Sequence, residues 1–208
     1  MAAGTYNFTI EQGATWSKTF YFAQGDVGRV FPVTSTTSIT VDATAKTYTR
    51  DDGGSWIDAG LQSGDYLVIS GLRESENNGS HIITTITDSV ITCAGSTLVD
   101  EIASPTDLET QLVILKAKDL TSYTGAAMIR KKYSSTTADA TITVTFNATR
   151  ESGVVVLSLT NTQTSAISAG ENIETSASKY VWDLEFTLST TVTRMLQGVV
   201  TISPEATK

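Results

Sequence analysis

Tyr180-Val181-Trp182-Asp183-Leu184-Glu185-Phe186-Thr187-Leu188 sets Tyr180, Trp182, Leu184, Phe186 and Leu188 on one side of an extended chain and Asp183, Glu185 and Thr187 on the other. Strand side chains alternate with period two, whereas helical ones return every 3.6 residues, so this stretch predicts a strand with one face in a core and one in water. Ser189-Thr190-Thr191 follows as a tight hairpin, and residues 192–202 read as a last strand stopped by Pro204, with Gly198 marking a bulge. Working back along the chain, Thr141-Ile142-Thr143-Val144-Thr145-Phe146-Asn147 alternates in the same way, and Gly153 opens the run Val154-Val155-Val156-Leu157-Ser158-Leu159. Tyr6-Asn7-Phe8-Thr9-Ile10 and residues 16–22 make two more strands about the turn Glu11-Gln12-Gly13. One short helix is predicted, because Thr160 and Gln163 have capping-box spacing just ahead of Thr164-Ser165-Ala166-Ile167.

Composition points the same way. About a quarter of the 208 residues are Ser or Thr, and Thr, the commonest, is β-branched and suits a pleated, half-wet surface. The fold class is therefore all-β. With 14 Lys+Arg against 22 Asp+Glu, the net charge is -8, which excludes a phosphate-neutralising role and makes nucleic acid an unexpected partner. The single cysteine, Cys93, has no internal disulfide partner. Met1-Ala2-Ala3-Gly4 runs straight into Thr5-Tyr6-Asn7-Phe8 without a basic and apolar leader, and no uncharged apolar run of about 18 residues occurs, so neither signal-dependent secretion nor a membrane span is expected.

The texture changes in the middle of the chain. Residues 46–50, 66–70, 81–87 and 89–93 read as short strands, separated by Asp51-Asp52-Gly53-Gly54, Ser63-Gly64-Asp65, Asn77-Asn78-Gly79 and Ala94-Gly95-Ser96. That spacing predicts a small inserted β domain, barrel-like, over residues 33–114, within a discontinuous β-sandwich formed by residues 1–32 and 115–208. The charge divides at the same places. Residues 33–114 hold three basic and twelve acidic residues, a net of -9, while the remainder holds eleven basic and ten acidic, a net of +1.

Side chains that carry chemistry are few. The sole His81 and Cys93 fall on neighbouring predicted strands, but a strand histidine and a small buried thiol account for both without catalysis. One His, one Cys and no calcium-loop pattern make a metal or other cofactor unexpected. Asp51-Asp52 and Asp100-Glu101 are the best carboxylate pairs, and turn chemistry explains both. A hydrolase built on Asp51, Asp52 or His81 is accordingly the least favoured class, and no catalytic residue is assigned. Candidate partner contacts are Arg130, Lys131 and Lys132, the one basic run, and Trp56, whose loop setting in Gly54-Ser55-Trp56-Ile57-Asp58 suits a stacking platform. Trp16 and Trp182 are in phase with core faces.

The order of segments resembles a family. Residues 5–16, then Asp119-Leu120-Thr121-Ser122-Tyr123-Thr124-Gly125-Ala126-Ala127-Met128-Ile129-Arg130, then 153–164, 180–185 and 192–205 are similar to the immunoglobulin-like N-terminal domain of tailed-bacteriophage baseplate upper proteins. Residues 60–71, 77–81 and 84–87 resemble a small β-module of phage virion proteins, and its insertion between Phe22 and Asp119 is the departure from the baseplate pattern. The resemblance implies an immunoglobulin-like antiparallel sandwich in a non-enzymatic virion structural protein. Its expected partners are other virion proteins and copies of itself, at the tail or baseplate. A capsid decoration protein, and a host-receptor or carbohydrate-binding module resting on Trp56 and the acidic loops, are the alternatives.

Overall fold

The computed structural model describes residues 3–24, 39–103, 113–169 and 178–204. Their strands, in chain order, are β1 (Gly4–Thr5), β2 (Phe8–Glu11), β3 (Trp16–Tyr21), β4 (Ile39–Asp42), β5 (Thr47–Arg50), β6 (Tyr66–Ser70), β7 (Gly79–Ile86), β8 (Val90–Ala94), β9 (Glu101–Ala103), β10 (Val113–Lys116), β11 (Tyr123–Arg130), β12 (Ala140–Phe146), β13 (Val154–Leu159), β14 (Ser178–Leu188) and β15 (Thr191–Ser203). One α-helix, α1 (Asn161–Ala166), and two short 3-10 helices, Ser75–Asn77 and Arg150–Ser152, complete the described elements. The protein is all-β, with two curled, mostly antiparallel sheets. The chain divides into two compact units.

Unit one comprises residues 1–20, 122–146 and 155–208. Its sheet runs β1-β15-β14-β11-β12-β13-β3, with β2 also on β15. Curling is forced by connectivity. Seven strands from β2 through β15 to β3 involve six inter-strand spacings, about 29 Å if flat. The residues 12–15 that join β2 to β3 reach only about 18 Å. The core face carries the alternation of β14: Tyr180, Trp182, Leu184 and Phe186 are buried, whereas Leu188, in phase with them, is 40% exposed beside the hairpin turn. That turn is Ser189-Thr190, with Leu188 opposite Thr191, and Ser189 adopts the positive φ of 56° that the first position of a primed two-residue turn requires. α1 has the predicted capping box, Gln163 N donating to Thr160 Oγ1 at 3.2 Å and Thr160 N to Gln163 Oε1 at 2.8 Å.

The bulge is not at Gly198. Leu184 pairs with Leu196 and Glu185 with Arg194, so Met195 is the extra residue. Gly198 answers a different need: a Cβ there would meet the carbonyl oxygen of Tyr6. The link between β1 and β2 therefore lies on bare backbone, beneath a cluster in which Phe8 stacks on Trp16 at 4.4 Å and meets the Trp182 ring edge-on at 5.1 Å.

Unit two comprises residues 21–121 and 147–154, wider limits than the 33–114 expected from the sequence. Its sheet runs β10-β6-β7-β8-β5-β4-β9. Strands β4, β9 and β10 carry no turn signals strong enough to mark them in the sequence. The core is one cluster, in which Trp56, Tyr48, Ile39, Leu67, Ile69, Ile83 and Ile91 are almost wholly buried. Seven basic against fifteen acidic residues give this unit a net of -8, and seven against seven leave unit one at zero.

Candidate functional site

Unit one presents the outer face of β11, β14 and β15 to solvent. Antiparallel register sets Ala126 against Glu185, Met128 against Asp183 and Arg130 against Val181, so these six side chains share the side opposite the Trp182 core. With Tyr133 and Arg194 they line a groove of about 200 Å³. Arg194, beyond the Met195 bulge, reaches Asp183 at 3.3 Å and Glu185 at 3.6 Å and lies over the Tyr133 ring, 5.9 Å from its centre. The bulge is what brings Arg194 opposite Glu185. At 44% exposure these pairs contribute at most about 1 kcal/mol, and the single guanidinium offsets one of the two carboxylate charges in the groove.

Arg130 is different. Its Nη1 donates to the Ser135 carbonyl at 3.2 Å and its Nη2 to the Met128 thioether at 3.0 Å, a weak acceptor. Its Nε is the one buried side-chain nitrogen or oxygen without a hydrogen-bond partner among the described residues. Lys131 and Lys132 follow directly and are exposed, with the Lys131 backbone N–H held by Asp139 at 3.0 Å. Lys179 is exposed on the same face of β14 as Val181. Of the predicted basic run only Arg130 lines the groove; Lys131 and Lys132 follow it in the chain, and Lys179 lies two residues from Val181 on β14. Neither Lys179 nor Arg194 was marked by the sequence, because only the β11–β14 register and the bulge place them.

Trp56 is a correction. It is wholly buried in the core of unit two, its Nε1 donates to the Ser89 carbonyl at 3.0 Å, and the Arg50 guanidinium covers its ring at 4.6 Å. Arg50 is itself pinned by Asp52 through two contacts of 2.5 Å, and this pairing, chief among several hydrogen bonds, holds the Asp52 carboxyl below the usual carboxylate range. The Asp-Asp-Gly-Gly turn therefore supports a core indole, and Trp56 has no face left for a sugar or a partner.

The other chemically interesting groups of unit two are tied into its interior. The Tyr48 hydroxyl donates to the Asn77 carbonyl at 2.9 Å, so at 3.3 Å it accepts from His81 Nε2–H, leaving Nδ1 to accept from the Ser96 hydroxyl at 2.9 Å. Burial pushes the His81 pKa down, against the opposing pull of the Asn78 and Asn77 backbone. Asp100 and Glu101 do not act as a pair. Asp100 is exposed and caps Ala43 N at 2.7 Å, while Glu101 is buried and receives Arg73 N at 2.9 Å and Asn77 Nδ2 at 2.8 Å. Cys93 is buried, and desolvation pushes its thiol up to about 12. Among the described residues no three His, Cys, Asp or Glu side chains gather to hold a metal, and no helix is long and apolar enough to cross a membrane. Compared with protein-family models and with curated proteins, the chain matches none.

Proposed function

We propose that this chain is a non-enzymatic structural component of a tailed-bacteriophage particle, acting through protein-protein contacts at the tail or baseplate. The observation that carries the reading is where the family-like segments fall. The family-like residues 5–16, 119–130, 153–164, 180–185 and 192–205, distant in sequence, contribute to strands β1, β2, β11, β13, β14 and β15 of one sheet, in a unit of zero net charge. A neutral body with a paired-charge outer face packs among neighbours without a like-charge penalty, which suits a crowded assembly. The chemistry-bearing side chains fit the same reading, since Cys93 is held as a thiol and His81 is committed to Tyr48 and Ser96. A carbohydrate-binding alternative loses its motivating residue with the burial of Trp56.

Mass spectrometry of gradient-purified particles tests the proposal. The chain is expected at a fixed stoichiometry that survives a high-salt wash. Its absence from the particles, with the protein free in the lysate, overturns the reading.

A further inference from the structure

We infer that the chain associates head to tail with copies of itself, the acidic β9 edge of unit two in one copy seating on the Arg130 groove of unit one in the next. The inference rests on the assembly reading above and names its partner, a second copy.

The groove asks for an acceptor. The Arg130 guanidinium spends its bonds on a carbonyl and a thioether, and its buried Nε–H has none. Arg130 also lines the groove, where a planar carboxylate of a partner matches the fork of its guanidinium. Met128, Val181 and the half-exposed Tyr133 ring give the groove an apolar floor, and the exposed Lys131 and Lys132 follow Arg130 in the chain while Lys179 lies two residues from Val181 on β14.

Unit two offers the complementary surface. β9 pairs on one side with β4, setting Thr40 opposite Ile102 and Val41 opposite Glu101. Ile102 projects outward at 66% exposure, the most exposed large apolar side chain among the described residues. Asp42 and Asp100, both exposed, line the same shallow concavity as Ile102. An apolar anchor between carboxylates thus faces an apolar floor that Arg130 and Arg194 share with Asp183 and Glu185, with exposed lysines near Arg130 and Val181, and the units that bear them carry -8 and zero. A two-fold pairing of β9 edges sets acid against acid and is disfavoured. The two surfaces differ, so the contact is heterologous and propagates to a ring or filament.

Sedimentation velocity of the full chain at low salt reads the association, with Ile102→Lys and the double variant Lys131→Glu/Lys132→Glu as probes. All three substituted side chains are exposed, so circular dichroism and melting are expected to match the parent. The parent chain should form oligomers that dissociate as salt is raised, and each variant should weaken association by about tenfold or more. Mixing the two variants should restore one contact per pair and give discrete dimers, because each retains the half that the other has lost. A parent that stays monomeric at low salt, variants that associate like the parent, or a mixture that remains monomeric overturns the inference. Those outcomes leave the particle stoichiometry untouched, and absence from particles leaves self-association untouched, so the two readings fail separately.

Discussion

Trp182 donates its indole N–H to the Tyr6 carbonyl at 2.8 Å, across the position where Gly198 leaves room for that carbonyl to lie on β15. This hydrogen bond ties the link between β1 and β2 to β14 over a separation of 176 residues, beside the pairing of β1 and β2 with β15. Gly198→Ala places a methyl group against backbone that cannot rotate away. Overpacking of this kind is expected to destabilise unit one by about 2 kcal/mol. Val199→Ala, one residue on and on the exposed side, should change stability by under about 0.5 kcal/mol. Urea unfolding of the two variants checks the contrast.

Trp56→Ala removes a buried indole together with its bond to Ser89 and the Arg50 ring contact. A loss of about 3–5 kcal/mol is expected. Trp56→Phe keeps most of the volume and should lose less. In urea denaturation, a Trp56→Ala variant as stable as the parent would show that the indole is outside the core.

His81 gives a pH signature of definite sign. Its pKa is lowered in the folded state from 6.5. Below 6.5 the unfolded chain takes up a proton that the folded chain refuses, so stability is full above that value, falls as pH drops through it, and levels off beneath the folded-state pKa. The slope from this group is at most about 1.4 kcal/mol per pH unit. Comparing urea midpoints from neutral pH to mild acid, the His81→Gln variant should show a flatter profile than the parent.

Cys93 is 1% exposed and its thiolate is strongly disfavoured. Titration with a disulfide reagent at neutral pH should find no reactive thiol in the folded chain and one after denaturation. A thiol that reacts at the free-cysteine rate in native buffer contradicts this placement.

Period-two patterning was enough to read β14, β12, β13 and the flanking pieces of unit one, because each has one face in a core and one in water. It missed β4 and β9, which are three or four residues long and whose burial depends on partners over fifty residues away in sequence. The Gly198 reading failed for an instructive reason. A strand glycine fits a bulge or a close backbone approach equally well, and only the fold supplies Tyr6. Trp56 failed similarly: Gly, Ser and Asp around a tryptophan suggest a loop tip, yet Arg50 at the end of β5, held by Asp52 of the turn, covers the indole. The basic run was legible as charge, but the missing acceptor at Arg130 Nε and the two carboxylates that share Arg194 beside it emerge only from the register of β11, β14 and β15.

A side-chain-resolution map of the assembled particle tests the central claim most directly. The account predicts repeated copies of this chain in which Arg130 of one copy is covered by Ile102 and its flanking aspartates from the next. A particle without the chain, or one in which every copy leaves its Arg130 groove open to solvent, contradicts it.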